Sequence, residues 1–199
     1  MVNKSPDVYP GMDTISRQGV LVLVAGPSGA GKDSILNGAQ TLLRSDDRFQ
    51  FARRIITRPK DLTEDHAECS EDDFHDLKDN GALLFHWNAH GLWYGVPASV
   101  SDELAGGKVV CVNVSRSIID SARERFGNVV TVLVDAPPDV LSERLSGRGR
   151  ESQTQARERL DRRIQEFSLR SGDVRIVNDG SLGSAIAQFV EILKSSARD

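Results

Sequence analysis

Apolar residues follow two alternating patterns along the chain. The runs "GVLVLVAG", "KVVCVNV" and "NVVTVLVDA" are continuously apolar, which is typical of buried strands in a parallel sheet, and "DVRIVNDG" is predicted to be the last strand. Helical spacing of apolar residues predicts helices over residues 32–43 and 117–126, in "PPDVLSERL" and in "LGSAIAQFVEILKSSA". Because strands alternate with helices, the sequence predicts an α/β fold with a parallel central sheet.

Two segments interrupt this rhythm. Residues 48–97 are polar, charged and aromatic, and residues 146–158 are rich in Arg, Gly and Gln. We predict that both are insertions at the carboxyl edge of the sheet, where open α/β sheets bind ligands. The predicted organisation is a flexible leader (1–18) and a single domain (19–199), whose core comprises 19–47 and 98–199.

Composition and charge narrow the possible functions. The chain has 199 residues, a hydrophobic fraction of 39% and a net charge of −4. No apolar run approaches the roughly 20 residues that span a bilayer, so no membrane partner is expected. The net negative charge disfavours nucleic acid, and local arginine clusters favour small anionic ligands. Cys69 and Cys111 are expected to be reduced thiols of a cytoplasmic protein. The sequence does not distinguish a monomer from a homodimer.

A nucleotide phosphate-binding loop is the strongest motif. Gly26, Gly31 and Lys32 satisfy G-x-x-x-x-G-K between a predicted strand and a predicted helix. Glycines allow inward-pointing N–H groups, the helix start favours anions, and the lysine adds a full positive charge. The sequence therefore predicts ATP binding by Gly26, Pro27, Ser28, Gly29, Ala30, Gly31, Lys32, Asp33 and Ser34.

Asp33 departs from that motif, which normally has Ser or Thr here. One interpretation moves the Mg²⁺-binding hydroxyl to Ser34, but one helical residue rotates a side chain by about 100°. A second is that Asp33 holds Mg²⁺ directly or through water, since carboxylates suit this cation. Asp33 would then supply the charge absent at Asn113, which ends the strand "KVVCVNV". A third is an ordinary first-turn residue favoured by the helix dipole.

Seven motifs along the chain together form a recognisable set: "GPSGAGKDS", "RRIITRP", "EDH", "HWNAHGLWYGVP", "VNVSR", "RLSGRGRE" and "VNDG". With these motifs the chain resembles guanylate-kinase-like kinases and, within them, the ribose 1,5-bisphosphate phosphokinase (PhnN) family. The resemblance implies a P-loop NTPase fold with α/β/α layers, an acceptor-binding insertion and an arginine lid. It also implies that ATP with Mg²⁺ phosphorylates ribose 1,5-bisphosphate to 5-phosphoribosyl 1-diphosphate. The alternatives are a nucleoside monophosphate kinase of the guanylate type and a non-catalytic binding domain.

The acceptor segment differs from that of guanylate kinases. His86 precedes Trp87 where those enzymes carry a guanine-reading glutamate, and a neutral imidazole offers one acceptor instead of two oxygens. The resemblance implies that Arg54, Arg58, His86 and Tyr94 bind the acceptor, with the arginines gripping phosphate. Solvated arginines on a strand are the alternative for Arg54 and Arg58.

The lid contributes the remaining predicted catalytic residues. The resemblance places Arg148 and Arg159 on the transferring phosphoryl group, with Arg144 as a third, alongside Lys32. Phosphoryl transfer needs such charge stabilisation more than covalent chemistry. Asn178 matches the adenine end of the family's nucleotide site, or forms a turn with Asp179 and Gly180.

Overall fold

A five-stranded parallel sheet forms the centre of the molecule. The computed structural model describes residues 19–59, 65–146 and 172–197. Its strands are β1 (Val20–Ala25), β2 (Phe49–Phe51), β7 (Val109–Asn113), β8 (Val129–Asp135) and β9 (Val174–Val177). They lie side by side in the order β2-β7-β1-β8-β9, and β1 is buried along its whole length, which explains its continuously apolar run.

Helices cover both faces of this sheet. Alternate residues of β1 face opposite ways, so Val22 packs in a core with Ile35 and Phe189, while Leu23 packs in a second core with Ile119. The predicted layered α/β architecture is confirmed. Within the described ranges, no helix is long and apolar enough to cross a bilayer. The helices are α1 (Lys32–Leu43), α2 (Glu71–Asp79), α3 (Val100–Ala105), α4 (Ile119–Arg125), α5 (Pro138–Ser146) and α6 (Leu182–Ser196), with a 3₁₀ turn at Arg116–Ile118.

A second, smaller sheet forms most of the segment predicted as an insertion. Its strands are β3 (Ile55–Ile56), β4 (Ala67–Glu68), β5 (Leu83–Ala89) and β6 (Leu92–Pro97). They lie in the order β4-β3-β6-β5, and helix α2 packs on one face of this sheet through the fully buried Phe74.

The predicted start of the insertion at residue 48 needs correction. Phe49–Phe51 pairs in parallel with β7 and is the edge strand of the central sheet. Phe49 is buried in the core that also contains Val22. The high polarity of the surrounding segment conceals this three-residue strand, so the second sheet begins only after Phe51.

The side chain of Arg125 joins the second sheet to the core. Its Nη1 donates to the carbonyl oxygen of Leu84 at 2.7 Å, and its guanidinium lies over the rings of Phe85 and Phe126. Arg125 belongs to α4 and Leu84 to β5, so this contact fixes the second sheet against a helix of the core. Of the predicted segments at the periphery, the leader (1–18) and lid residues 147–158 lie outside the described residues.

Candidate active site

The phosphate loop connects β1 to α1 at the carboxyl edge of the central sheet. Gly26 has φ 147°, and a Cβ there would lie 1.9 Å from the carbonyl oxygen of Val134 in β8. Gly31 precedes the helix with φ 89°, also in the region that favours glycine. Glycine is therefore required at both ends of the loop, and the loop leads directly into the start of α1, where backbone N–H groups favour anions.

Lys32 folds back across the loop. Its Nζ donates to the carbonyl oxygens of Gly26 and Pro27, both at 2.9 Å. The ammonium group is thus held at the mouth of the turn, where a nucleotide phosphate would meet it. Ser34, the next hydroxyl along the helix, is exposed.

Two side chains from distant segments brace the loop from outside. Asn178, only 3% exposed, donates from Nδ2 to the carbonyl oxygen of Ala30 at 2.8 Å. Arg144 at the end of α5 donates to the carbonyl oxygen of Gly29 at 3.4 Å. The sequence predicts Asn178 at the adenine end of the nucleotide site and Arg144 as a third catalytic arginine on the transferring phosphoryl group, and the structure brings both side chains to the loop backbone.

Asp33 lies between the central sheet and the second sheet. The amide Nδ2 of Asn113 donates to its Oδ1 at 2.7 Å, and an Nη2 of Arg54 lies 3.7 Å from the same oxygen. Asn113 is 6% exposed, and the Arg54 side chain is 11% exposed. A single carboxylate is therefore held between an amide and a guanidinium.

Arg54 connects this carboxylate to the aromatic face of the second sheet. Its guanidinium lies over the ring of Tyr94, 5.6 Å from the centroid. Tyr94 stacks on Trp87 with centroids 5.4 Å apart and planes 4° apart. Arg54 thus lies between Asp33, which follows the phosphate loop, and the ring of Tyr94, and its guanidinium offers positive charge and paired N–H donors to an anionic acceptor.

The segment that carries Arg58 is fixed by a buried histidine. His66 is fully buried, and its Nε2 lies 3.0 Å from the carbonyl oxygen of Arg58. Since a carbonyl only accepts, Nε2 carries the proton and donates it. Arg53 donates to the carbonyl oxygen of His66 and pairs with Asp65 at 3.1 Å. Arg53 and Arg54 therefore have different tasks, although they are adjacent.

His86 lies on the opposite face of the second sheet from Tyr94. It pairs in register with Gly95, while Trp87 pairs with Tyr94, so their side chains alternate. Its ring lies 6.4 Å from that of Trp93. Burial lowers the pKa of His86, and the charge of Lys78 lowers it further, which favours the neutral ring. The structure does not bring His86 together with the other predicted acceptor residues.

A cleft of about 290 Å³ opens beside Asp33 and Arg54. Leu36, Phe51 and Cys111 contribute apolar surface, and Asp33 and Arg54 are among its polar lining. Burial strongly raises the pKa of the Cys111 thiol, so it lines the cleft as an uncharged group.

The sequence marks Asn113 only as a strand-end position without a carboxylate, and it assigns no contact to Asn113 and no site role to His66. Asn113 contacts Asp33 across 80 positions of sequence, and its location at the end of a predicted strand was the available signal. The motif "EDH" marked His66 without indicating that it would be buried. Arg148 and Arg159, predicted in the lid, lie outside the described residues.

Mg²⁺ fits the donor chemistry around Asp33. No cluster of three or more His, Cys, Asp or Glu side chains suited to a metal occurs in the described ranges. Mg²⁺ usually takes one or two carboxylates and completes its shell with water and substrate phosphates. Asp33, with a side chain 35% exposed beside the phosphate loop, provides one such carboxylate.

Fold and site together define a P-loop kinase. The sequence profile of guanylate kinase matches residues 18–196. The chain is 43% identical to "Ribose 1,5-bisphosphate phosphokinase PhnN" of Brucella melitensis biotype 2 (strain ATCC 23457), covering 94% of this chain and 97% of that one. A protein of the same name from Bradyrhizobium diazoefficiens is 41% identical, with 90% of each chain covered. The chain belongs to the guanylate kinase family and, within it, to the PhnN phosphokinases.

A solved structure supports the fold independently. The guanylate kinase of Anaplasma phagocytophilum superposes with a TM-score of 0.67 over 92% of this chain and 88% of that one. The two sequences are 17% identical, so this similarity concerns the fold alone.

Proposed function

We propose that the chain transfers the γ-phosphoryl group of ATP to the C1 phosphate of ribose 1,5-bisphosphate, giving 5-phosphoribosyl 1-diphosphate and ADP. The observation that carries the proposal is the position of Arg54, a largely buried arginine between the phosphate loop and Tyr94. The names of the relatives support the same acceptor. Both cysteines are free thiols, which suits a reducing compartment, and we assign the enzyme to the cytoplasm.

The donor occupies the phosphate loop. The loop N–H groups and Lys32 hold the β- and γ-phosphates, and Asn178 and Arg144 keep the loop backbone in place. Asp33 would hold Mg²⁺ directly or through its water shell. The chemistry that Mg²⁺ supplies when bound is neutralisation of charge on the β and γ oxygens.

The acceptor lies on the surface that Arg54 and Tyr94 share. An oxygen of the C1 phosphate forms the new bond to the γ-phosphorus while the bond to the β–γ bridging oxygen breaks, and ADP leaves with that oxygen. A phosphate oxygen is largely ionised at neutral pH, so the protein must position and neutralise it rather than remove a proton. Arg54 offers paired N–H donors for this purpose, and Arg58 is the second proposed phosphate ligand.

The second sheet argues against a guanine base. The residue that replaces the base-reading glutamate, His86, lies on the face opposite Tyr94. A base at that surface would leave its paired N–H donors without a carboxylate, and such unpaired polar groups discriminate strongly.

An assay with two acceptors tests the proposal. Purified protein receives ATP and Mg²⁺ with either ribose 1,5-bisphosphate or GMP, and products are separated by anion-exchange chromatography. We expect 5-phosphoribosyl 1-diphosphate, and little or no GDP. Faster GDP formation would establish a guanylate-type kinase instead, and no turnover of either acceptor would favour a binding domain.

The lid leads to a separate prediction. Arg148→Ala should lower turnover by roughly 10²-fold while ATP affinity changes little, because the proposed contact with the transferring phosphoryl group forms mainly in the transition state. Initial rates and ATP titrations measure the two quantities. Arg44→Ala, at an exposed arginine that directly follows α1, is the control. Unchanged turnover in Arg148→Ala would remove this residue from the catalytic set.

A further inference from the structure

Asp33 and Asn113 occupy two positions that hold Mg²⁺ in P-loop enzymes, but with their chemistry exchanged. In those enzymes a loop Ser or Thr supplies a hydroxyl, and an aspartate at a strand end supplies the charge. We propose that this chain has moved the Mg²⁺-holding carboxylate from the strand end to the loop, and that Asn113 is the positioning residue that orients it. The inference rests on the proposed function only in taking Mg²⁺ and ATP as ligands.

Topology brings the two side chains together. β7 lies next to β1 in the central sheet, and Asn113 pairs in register with Val24, just before the loop begins. Asn113 therefore ends its strand at the mouth of the loop, where its buried amide reaches Asp33 at 2.7 Å. A buried amide held at hydrogen-bond distance has few other orientations, so it fixes the carboxylate.

The exchange conserves both charge and hydrogen bonding. A hydroxyl beside an aspartate provides one negative charge and one donor, and an aspartate beside an asparagine amide provides the same. Asn113 and Arg54 both approach Oδ1 of Asp33. Oδ2 is then the oxygen for Mg²⁺ or its water shell. Outer partners that orient a metal ligand in this way typically affect metal affinity by about 10–100-fold when removed.

The arrangement predicts that a change at Asp33 or Asn113 alone disturbs the pair, and that metal-dependent ATP binding is recovered when the carboxylate is moved back to position 113 in a double variant. Asp33→Ser alone leaves no carboxylate at the pair. Asn113→Asp alone sets two carboxylates side by side and removes the donor between them. The double variant Asp33→Ser/Asn113→Asp has one carboxylate and one hydroxyl donor again, in the usual P-loop order.

The test measures binding, not turnover. The dissociation constant of a non-hydrolysable ATP analogue is determined by titration calorimetry in excess Mg²⁺ and in EDTA, for the parent and the three variants. The dissociation constant in EDTA divided by that in Mg²⁺ reports how much the metal strengthens binding of the analogue. We expect Asp33→Ser to reduce this ratio by about 10-fold or more, and the double variant to recover it to within about 3-fold of the parent. Asn113→Asp alone should lower Tm in EDTA, and Mg²⁺ should raise it again.

Matched substitutions control for charge and for the loss of a first-turn acid. Asn88→Asp makes the same change at an exposed position of β5, and Asp102→Ser removes an exposed acid from the first turn of α3. Both should behave like the parent. A double variant that does not fold, or whose ratio is no better than that of Asp33→Ser, would overturn the inference. No acceptor is present, so failure to phosphorylate ribose 1,5-bisphosphate would leave this result unaffected.

Discussion

Lys32→Met should lower turnover by about 10³-fold, at the upper end of what one preorganised donor contributes to a transition state. Methionine retains most of the length of the lysine stem but carries no charge. The ammonium group is held 2.9 Å from two loop carbonyls, and we propose that the transferring phosphoryl group passes beside it. The charge that develops there would no longer be neutralised by the protein.

The loss should fall mainly on turnover. The loop N–H groups still hold the nucleotide in the variant, so we expect ATP affinity to fall by much less than the rate. Initial rates at saturating acceptor and calorimetric ATP titrations separate these two effects. Lys194→Met, at an exposed lysine of α6 that pairs with Glu191 at 3.7 Å, is the matched control. Turnover within threefold of the parent would show that Lys32 braces the loop without acting on the phosphoryl group.

The sequence predicts the three inner strands of the central sheet well because they are longer than the edge strands and mostly buried. β1, β7 and β8 each appear as an apolar run followed by a helical period, and the structure places them side by side. β2 escapes prediction because three residues show no period and adjoin a charged segment. β3 and β4 have two residues each and are fixed by pairing with distant strands, which a local pattern does not encode.

The candidate site likewise has one part that the sequence predicts from local spacing and another that depends on contacts between distant residues. The phosphate loop is local, so its glycines and Lys32 can be assigned from their spacing alone. The acceptor face depends on register, since a shift of one residue reverses every side chain of a strand. His86 was predicted to contact the acceptor, but the pairing of Trp87 with Tyr94 turns it to the other face. The contact between Asn113 and Asp33 joins residues 80 positions apart and required the three-dimensional structure.

Arg54→Met should lower kcat/KM for ribose 1,5-bisphosphate by about 10³-fold, on the order of 4 kcal/mol, as expected when one partner of a buried charge contact is removed. The substitution eliminates the paired N–H donors and leaves the face of Tyr94 without its cation. Arg54→Lys retains the charge without the planar fork of N–H donors, so its kcat/KM should lie between those of the parent and of Arg54→Met. Arg48→Met is the control, because Arg48 is exposed and pairs with the neighbouring Asp46.

The contacts of Arg54 with Asp33 and with the ring of Tyr94 suggest different outcomes for the variant, and steady-state kinetics can distinguish them. If Arg54 holds the acceptor phosphate, the KM for ribose 1,5-bisphosphate rises steeply, and the KM for ATP stays within about threefold. If Arg54 serves only to neutralise Asp33, the acceptor KM stays constant and the dependence on free Mg²⁺ changes instead, since an unneutralised carboxylate attracts the cation more strongly. The 3.7 Å separation from Asp33 is long for a hydrogen bond, and the guanidinium lies over the ring of Tyr94, which we propose as an acceptor ligand. We therefore expect the first outcome, with the acceptor KM as the decisive measurement.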